Sequence, residues 1–125
     1  LRMAARVLVV DDLAFMREAI RDILENAGHD VVGEAADGAQ GLEQYQRLKP
    51  DVVLMDITMP VMNGLLALKN LRRRYPDAVV VMCSALGQQE YIIRAIQLGA
   101  RDFIVKPFHP ERVVSAVRKA ARIYD

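Results

Sequence analysis

Five short apolar runs punctuate the chain: Val7-Leu8-Val9-Val10, Val31-Val32, Val52-Val53-Leu54-Met55, Val79-Val80-Val81-Met82 and Phe103-Ile104-Val105. They are rich in β-branched residues, and the first, third and fourth are continuous rather than alternating. An unbroken apolar run predicts a strand covered on both faces, as in a parallel sheet.

The intervening segments carry a helical period. Phe15, Met16, Ala19, Ile20, Ile23, Leu24 and Ala27 recur four apart, Arg17, Glu18, Arg21, Asp22 and Glu25 fill the other face, and Gly28 is placed to end the helix. A second helix is predicted from about Gly38 to Leu48, with Asp37 as N-cap and Gln40 three residues on. A third covers about Gly64 to Arg74 and is stopped by Pro76; a fourth spans about Gln88 to Leu98 and ends at Gly99. The last begins at Pro110, a favoured first helical position, with Val113, Val114, Val117, Ala120, Ala121 and Tyr124 on its apolar face. Strand and helix thus alternate five times, which predicts an α/β fold: a parallel sheet between two helical layers, as one domain over residues 1–125.

Composition narrows the function. With 125 residues, 53% of them hydrophobic, the chain can bury a substantial core. The 17 basic and 16 acidic residues leave a net charge of +1, so no electrostatic case arises for nucleic-acid or membrane-surface binding. The single cysteine, Cys83, suits a reducing cytoplasm. The longest uncharged apolar-rich run, Ala78 to Gly87, is far short of the roughly 18–20 residues that span a bilayer.

The informative polar residues lie just after the predicted strands. The first runs into Asp11-Asp12, the third into Asp56, the fourth into Ser84 and the fifth into Lys106-Pro107; the second ends Gly33-Glu34-Ala35-Ala36 without an obvious site residue, which an edge position would explain. In an open parallel sheet the carboxyl ends of the strands line one rim, where ligands bind. Each residue also has a structural reading. Asp11 or Asp12 could cap the first helix, Asp56 a turn, Ser84 the fourth helix, and Lys106 could pair with a nearby acid. Four such coincidences on one rim are less plausible than one site.

Two carboxylates about 4 Å apart repel by roughly 4 kcal/mol at an effective dielectric near 20. Three together call for a proton or a cation. Hard oxygen ligands without His or Cys point to Mg²⁺ rather than zinc. A lysine and a hydroxyl beside such a site suit phosphoryl transfer to an aspartate nucleophile.

The set Asp11-Asp12, Met55-Asp56-Ile57-Thr58-Met59-Pro60, Asn63-Gly64, Cys83-Ser84-Ala85 and Phe103-Ile104-Val105-Lys106-Pro107-Phe108 resembles the two-component response-regulator receiver domains over about Arg6 to Arg122. The resemblance implies a flavodoxin-like (βα)5 fold with strand order 2-1-3-4-5 and a signalling domain rather than an enzyme with its own substrate. It implies Asp56 as phospho-acceptor, Mg²⁺ held by Asp11, Asp12, Asp56 and the Thr58 carbonyl, and Lys106 and Ser84 on phosphoryl oxygens. Ser84 and Phe103 would be the switch pair, and the Lys106-Pro107 peptide would be cis. A histidine kinase is the implied donor.

Within the family, Cys83-Ser84-Ala85-Leu86-Gly87-Gln88-Gln89 and the Gly99 to Phe108 stretch are most similar to stand-alone chemotaxis regulators, which implies a motor-switch or phosphatase partner. Gln89, Ile92 and Ile96 form one helical stripe expected to face partners together with Phe103, with Ile93 expected in the core. Two other settings are a receiver cut from a larger DNA-binding regulator or hybrid kinase, and a pseudo-receiver that binds without phosphate. A haloacid-dehalogenase-type phosphatase would need an acid/base Asp at position 58, where Thr58 stands. His29 and His109 are expected to be exposed turn residues, Cys83 a buried core residue, and Arg72-Arg73-Arg74 a solvated helix end.

Overall fold

The computed structural model describes residues 3–123. The element order is β1 (Arg6–Val10), α1 (Ala14–Asn26), β2 (Asp30–Ala35), α2 (Gly38–Leu48), β3 (Val52–Met55), α3 (Gly64–Arg74), β4 (Val80–Ser84), α4 (Gln89–Gln97), β5 (Asp102–Val105) and α5 (Pro110–Ala120). The strands form one parallel sheet in the order β2-β1-β3-β4-β5, as the family resemblance implied. The edge place expected for the second strand is also found. Its pairing with β1 slips between Val7 and Leu8, so that Leu8 faces Gly33 rather than Val32.

Continuous hydrophobicity in β1, β3 and β4 follows from burial on both faces. Val7, Val9, Val52, Leu54, Val81, Cys83 and Ile104 point to one side, where Ile20 and Leu24 of α1 and Val113, Ala116 and Val117 of α5 cover them. Leu8, Val10, Val53, Met55, Val80, Met82 and Phe103 point to the other, under Tyr45 of α2, Leu68 and Leu71 of α3 and Ala95 of α4. This alternation is the pleat itself. Burying one such Val, Leu or Ile contributes about 1.5–3 kcal/mol. No helix among the described residues is long and apolar enough to cross a membrane.

Local signals place the helix ends. Asp37 caps α2 by accepting from the Gln40 amide at 2.8 Å, and Asn63 caps α3 by accepting from Leu66 at 2.9 Å. Gly28 and Gly99, with φ of +88° and +103°, turn the chain after α1 and α4. The Lys106-Pro107 bond is cis. Tyr124, expected on the last helix, lies outside the described residues.

Four expectations need correction. His29 is buried, not an exposed turn residue: its Nδ1 accepts the Ala5 amide at 3.0 Å, and its Nε2 has no partner among the described residues. The ring fills the seam beside β1, which no local pattern reveals. Ile93 is exposed at 47%, while Ile92, one position back, is half-buried against the core. The half-turn geometry of α4 brings Ile92 and Ala95, not Ile93, over the sheet. Phe15 and Ala19 are exposed, because α1 presents to the core only the stripe through Ile20 and Leu24. Phe103 is buried, not partner-facing, because the β5 pleat turns it into the α2-α3-α4 core.

Two expected outcomes follow from this packing. A Cβ at Gly64 would overlap the Asp56 carbonyl oxygen and press on Ile57. Gly64→Ala is therefore expected to lower stability by about 1–3 kcal/mol in urea unfolding; an unchanged midpoint would show that the carbonyl can step aside. Burial first and the Arg118 charge second hold the His29 imidazole below its ordinary pKa, against the opposing pull of Asp30. The unfolded chain thus takes up the proton more readily, and stability should be complete above the ordinary value and fall as pH drops through about 6.5 and below. His29→Asn keeps an acceptor for Ala5 but does not titrate, so unfolding curves at successive pH values should be flatter for that variant than for the parent.

Candidate functional site

The carboxyl ends of β1, β3, β4 and β5 meet on one rim, and the predicted polar residues meet with them. Asp11, Asp12 and Asp56 each offer a carboxylate oxygen, all within 4.8 Å of one another. Asp11 and Asp56 are buried and Asp12 is exposed, so the cluster opens to solvent on one side. Lys106 reaches across from the end of β5 and its Nζ donates to Asp11 Oδ2 at 2.6 Å and to Asp56 Oδ2 at 3.0 Å. Burial alone would lower the Lys106 pKa; its hydrogen bond to Asp11, together with the Asp56 charge and hydrogen bond, outweighs that and holds the ammonium above its ordinary value.

The helix-capping readings of Asp11, Asp12 and Ser84 fail, whereas the pairing of Lys106 with a nearby acid holds and is part of the site. The N-cap of α1 is Leu13, without a side-chain cap bond; Asp11 Oδ1 instead accepts from the Leu13 amide at 2.9 Å, which orients the carboxylate. Asp56 Oδ1 accepts from the next amide, Ile57, at 2.6 Å. Ser84 does not cap α4, whose N-cap is Gln88. Its buried hydroxyl accepts from the Leu86 amide at 3.2 Å, and its carbonyl accepts the Lys106 amide at 2.9 Å. Ser84 is thereby tied to the lysine's own backbone.

The loop after Asp56 turns sharply. Met62 donates to the Pro60 carbonyl at 2.7 Å across Val61, which has a φ of +67° and is exposed. Left-handed backbone at a β-branched residue is a true outlier. Thr58 lies in this loop with its side chain exposed. Cys83, one residue before Ser84, is buried, and burial pushes its thiol pKa up to about 12; it is a core residue and not a nucleophile.

Three carboxylates with no nitrogen or sulfur ligand among them form a hard-oxygen donor set, which fits Mg²⁺. Asp102, one residue before Phe103, accepts from both terminal nitrogens of Arg112 at 3.0 Å and from the Phe103 amide at 2.7 Å. Burial resists the Asp102 charge, but these bonds hold its pKa below the ordinary value. The backbone of the aromatic position is thus clamped to α5. Gln89 and Ile96 stand exposed on α4, with Ile92 half-buried beside them.

Sequence reasoning overlooked Arg17 and Glu34. Arg17, assigned only to a polar helix face, donates from Nη1 to the Asp11 carbonyl at 2.7 Å and from Nε to Glu34 Oε1 at 3.0 Å. Glu34, at the end of the edge strand, also receives Arg21 through Nε at 3.0 Å and Nη2 at 2.7 Å. Burial resists the Glu34 charge, yet the hydrogen bonds from Arg21 and Arg17 hold its pKa below the ordinary value. A half-buried acid on an edge strand beside a basic helix face was the available signal.

Comparison with known proteins agrees with this geometry. The response regulator receiver domain family matches residues 7–118. The chain is 53% identical over 120 residues to chemotaxis protein CheY of Thermotoga maritima, covering 96% of this chain and 100% of that one. It is 55% identical over 117 residues to CheY of Bacillus subtilis, covering 94% and 98%. Among solved structures, the NarL receiver domain of Mycobacterium tuberculosis superposes with a TM-score of 0.92 at 34% identity, covering 98% of this chain and all of that one. The CheY of Borrelia burgdorferi, in a CheX-CheY-BeF3-Mg complex, superposes with a TM-score of 0.89 at 33% identity, covering 95% and 89%. A match over nearly the whole sequence, with the acidic rim and its lysine assembled at the strand ends, makes this chain a member of the response regulator receiver domain family.

Proposed function

We propose that the chain accepts a phosphoryl group on Asp56 from the phosphohistidine of a histidine kinase, with Mg²⁺ on the acidic rim, and changes partner binding in chemotaxis signalling. One observation carries this reading: the Lys106 ammonium bridges Asp56 and Asp11 within a three-carboxylate cluster. A cation already fixed beside the acceptor is where charge develops on the transferring oxygens. CheY relatives at 53% and 55% identity support the chemotaxis setting, with a flagellar motor switch or phosphatase protein as output partner in the cytoplasm. The complex of the Borrelia CheY with CheX supports a protein partner for this fold.

In the step itself, one Asp56 carboxylate oxygen forms the new bond to phosphorus as the bond to the imidazole nitrogen breaks, and the electron pair leaves on the imidazole. Asp11, Asp12, Asp56 and the Thr58 carbonyl are the proposed holders of Mg²⁺, which would neutralise phosphoryl charge when bound. Lys106 keeps its place and exchanges a carboxylate contact for a phosphoryl oxygen. The protein acts on itself, accepting one group rather than turning over an external substrate.

The added charge of about −2 would draw the Ser84 hydroxyl toward the phosphoryl group. Ser84 Oγ accepts the Leu86 amide, so its movement pulls on the β4–α4 loop directly. Phe103 is buried in the cluster that also holds Leu86 and Ile92, and Ser84 and Phe103 are the proposed switch pair through which the signal reaches Gln89, Ile92 and Ile96 of α4.

Incubation with acetyl phosphate and MgCl₂ should add one phosphoryl group by mass spectrometry, absent in Asp56→Asn and without EDTA-resistant labelling. Labelling that survives in Asp56→Asn would move the acceptor elsewhere. Leu86 stands two residues beyond Ser84, half-buried and apolar, and offers no hydrogen bond to an attacking water. Phosphate should therefore be lost more slowly from the parent than from Leu86→Glu, followed by phosphate release; equal decay would remove Leu86 from the account.

A further inference from the structure

The metal site sits in a loop whose position the β-sheet alone does not determine. Asp11 pairs with β2 through its amide, which donates to the Ala35 carbonyl at 3.0 Å, but its carbonyl turns to Arg17. The peptide that leaves Asp11 and begins Asp12 is thus oriented by a side chain one helical turn into α1. That side chain is itself held from its other end by Glu34, which Arg21 pins in turn by two hydrogen bonds and whose own pKa is depressed by these contacts. Arg17 and Glu34 are both only partly exposed, at 19% and 31% of their side chains, so their pairing is screened less than a surface bridge.

The charge arithmetic explains why the arginine comes paired. A bare guanidinium next to the peptide of two metal-ligating acids would oppose a divalent cation. Arg17 and Arg21 share Glu34, and Arg21 also pairs with Glu25, so two cations face two anions, the network is close to neutral, and the hydrogen bond to the carbonyl is retained with little repulsion. Partners behind the ligands commonly set ligand orientation and metal affinity in this way.

We propose that Arg17, fixed by the edge-strand carboxylate Glu34, is a positioning residue for the acidic rim: by holding the Asp11 carbonyl it orients the Asp11–Asp12 peptide so that both carboxylates serve one divalent cation. This rests on the magnesium-dependent reading above, and extends it to residues outside the rim. Arg21 supplies the control. It shares Glu34 and also reaches the Val31 carbonyl, but makes no bond to Asp11.

Calorimetric titration of the whole unphosphorylated chain with MgCl₂ tests the assignment, alongside thermal melts without the metal. Arg17→Ala should bind Mg²⁺ about tenfold more weakly than the parent. Arg21→Ala leaves both Arg17 hydrogen bonds in place and touches the rim only through Glu34, so it should stay within about twofold while losing a similar amount of thermal stability. Arg17→Lys keeps the charge but cannot hold both the Asp11 carbonyl and Glu34, and should remain weaker than the parent. If circular dichroism shows Arg17→Ala unfolded, Glu34→Gln carries the same test, and its less compensated Arg17 should likewise weaken binding. Parent-like affinity in the folded variants, or equal losses for Arg17→Ala and Arg21→Ala, overturns the positioning role and leaves the proposed function standing. No magnesium uptake by the parent overturns both.

Discussion

Three carboxylates brought within 4.8 Å of one another, with one ammonium lodged between two of them, are the constraint around which this molecule is organised. Such a cluster is unfavourable on its own, and removing one partner from a buried ion pair costs about 3–5 kcal/mol. The sheet bears that cost. Asp11 and Asp56 follow strands buried on both faces, and Lys106 follows β5 with its amide bonded to the Ser84 carbonyl. Their backbones have little freedom to relieve the repulsion by moving apart, so the relief must come from positive charge: the Lys106 ammonium and, in the proposed function, a divalent cation.

The same tethers that hold the site also lead out of it. Lys106 and Ser84 share a backbone bond, Ser84 holds the Leu86 amide, and Leu86 packs in the same core cluster as Ile92 and Phe103. A change in charge at Asp56 is therefore coupled to the base of α4 through short hydrogen bonds and close packing. On the opposite side, Arg17 and Glu34 link the Asp11 carbonyl to the edge strand. The rim is thus braced on one flank and geared on the other, which suits a domain whose chemistry is slight and whose output is a change of surface.

Much of this was legible in the residues. Continuous β-branched runs alternating with 3.6-residue periods specified a parallel sheet between helices, and the N-cap Asp37 and the Gly28 and Gly99 turns place the helix ends within a residue or two. The site was equally readable, because every polar residue following a fully buried strand in a parallel sheet must arrive at the same rim. Family likeness then assigned roles to Asp11, Asp12, Asp56, Ser84, Thr58 and Lys106. Period alone could not tell how wide the buried stripe of a helix would be. Phe15, Ala19 and Ile93 fit the apolar pattern yet stand exposed, since each depends on how the helix rolls on the sheet.

What the sequence by itself determined was therefore the order of elements, the sheet's double cover and the set of acids and lysine that share its rim, because these depend on local pattern and on strand direction. Only the tertiary structure decided that His29 is buried against the Ala5 amide, that Phe103 is packed inside, and that Arg17 and Glu34 stand behind the acidic loop. Each of these rests on a contact between elements distant in the chain, where direction of the side chain is set by the roll of a helix or the pleat of a neighbouring strand. No spacing along one segment encodes that geometry.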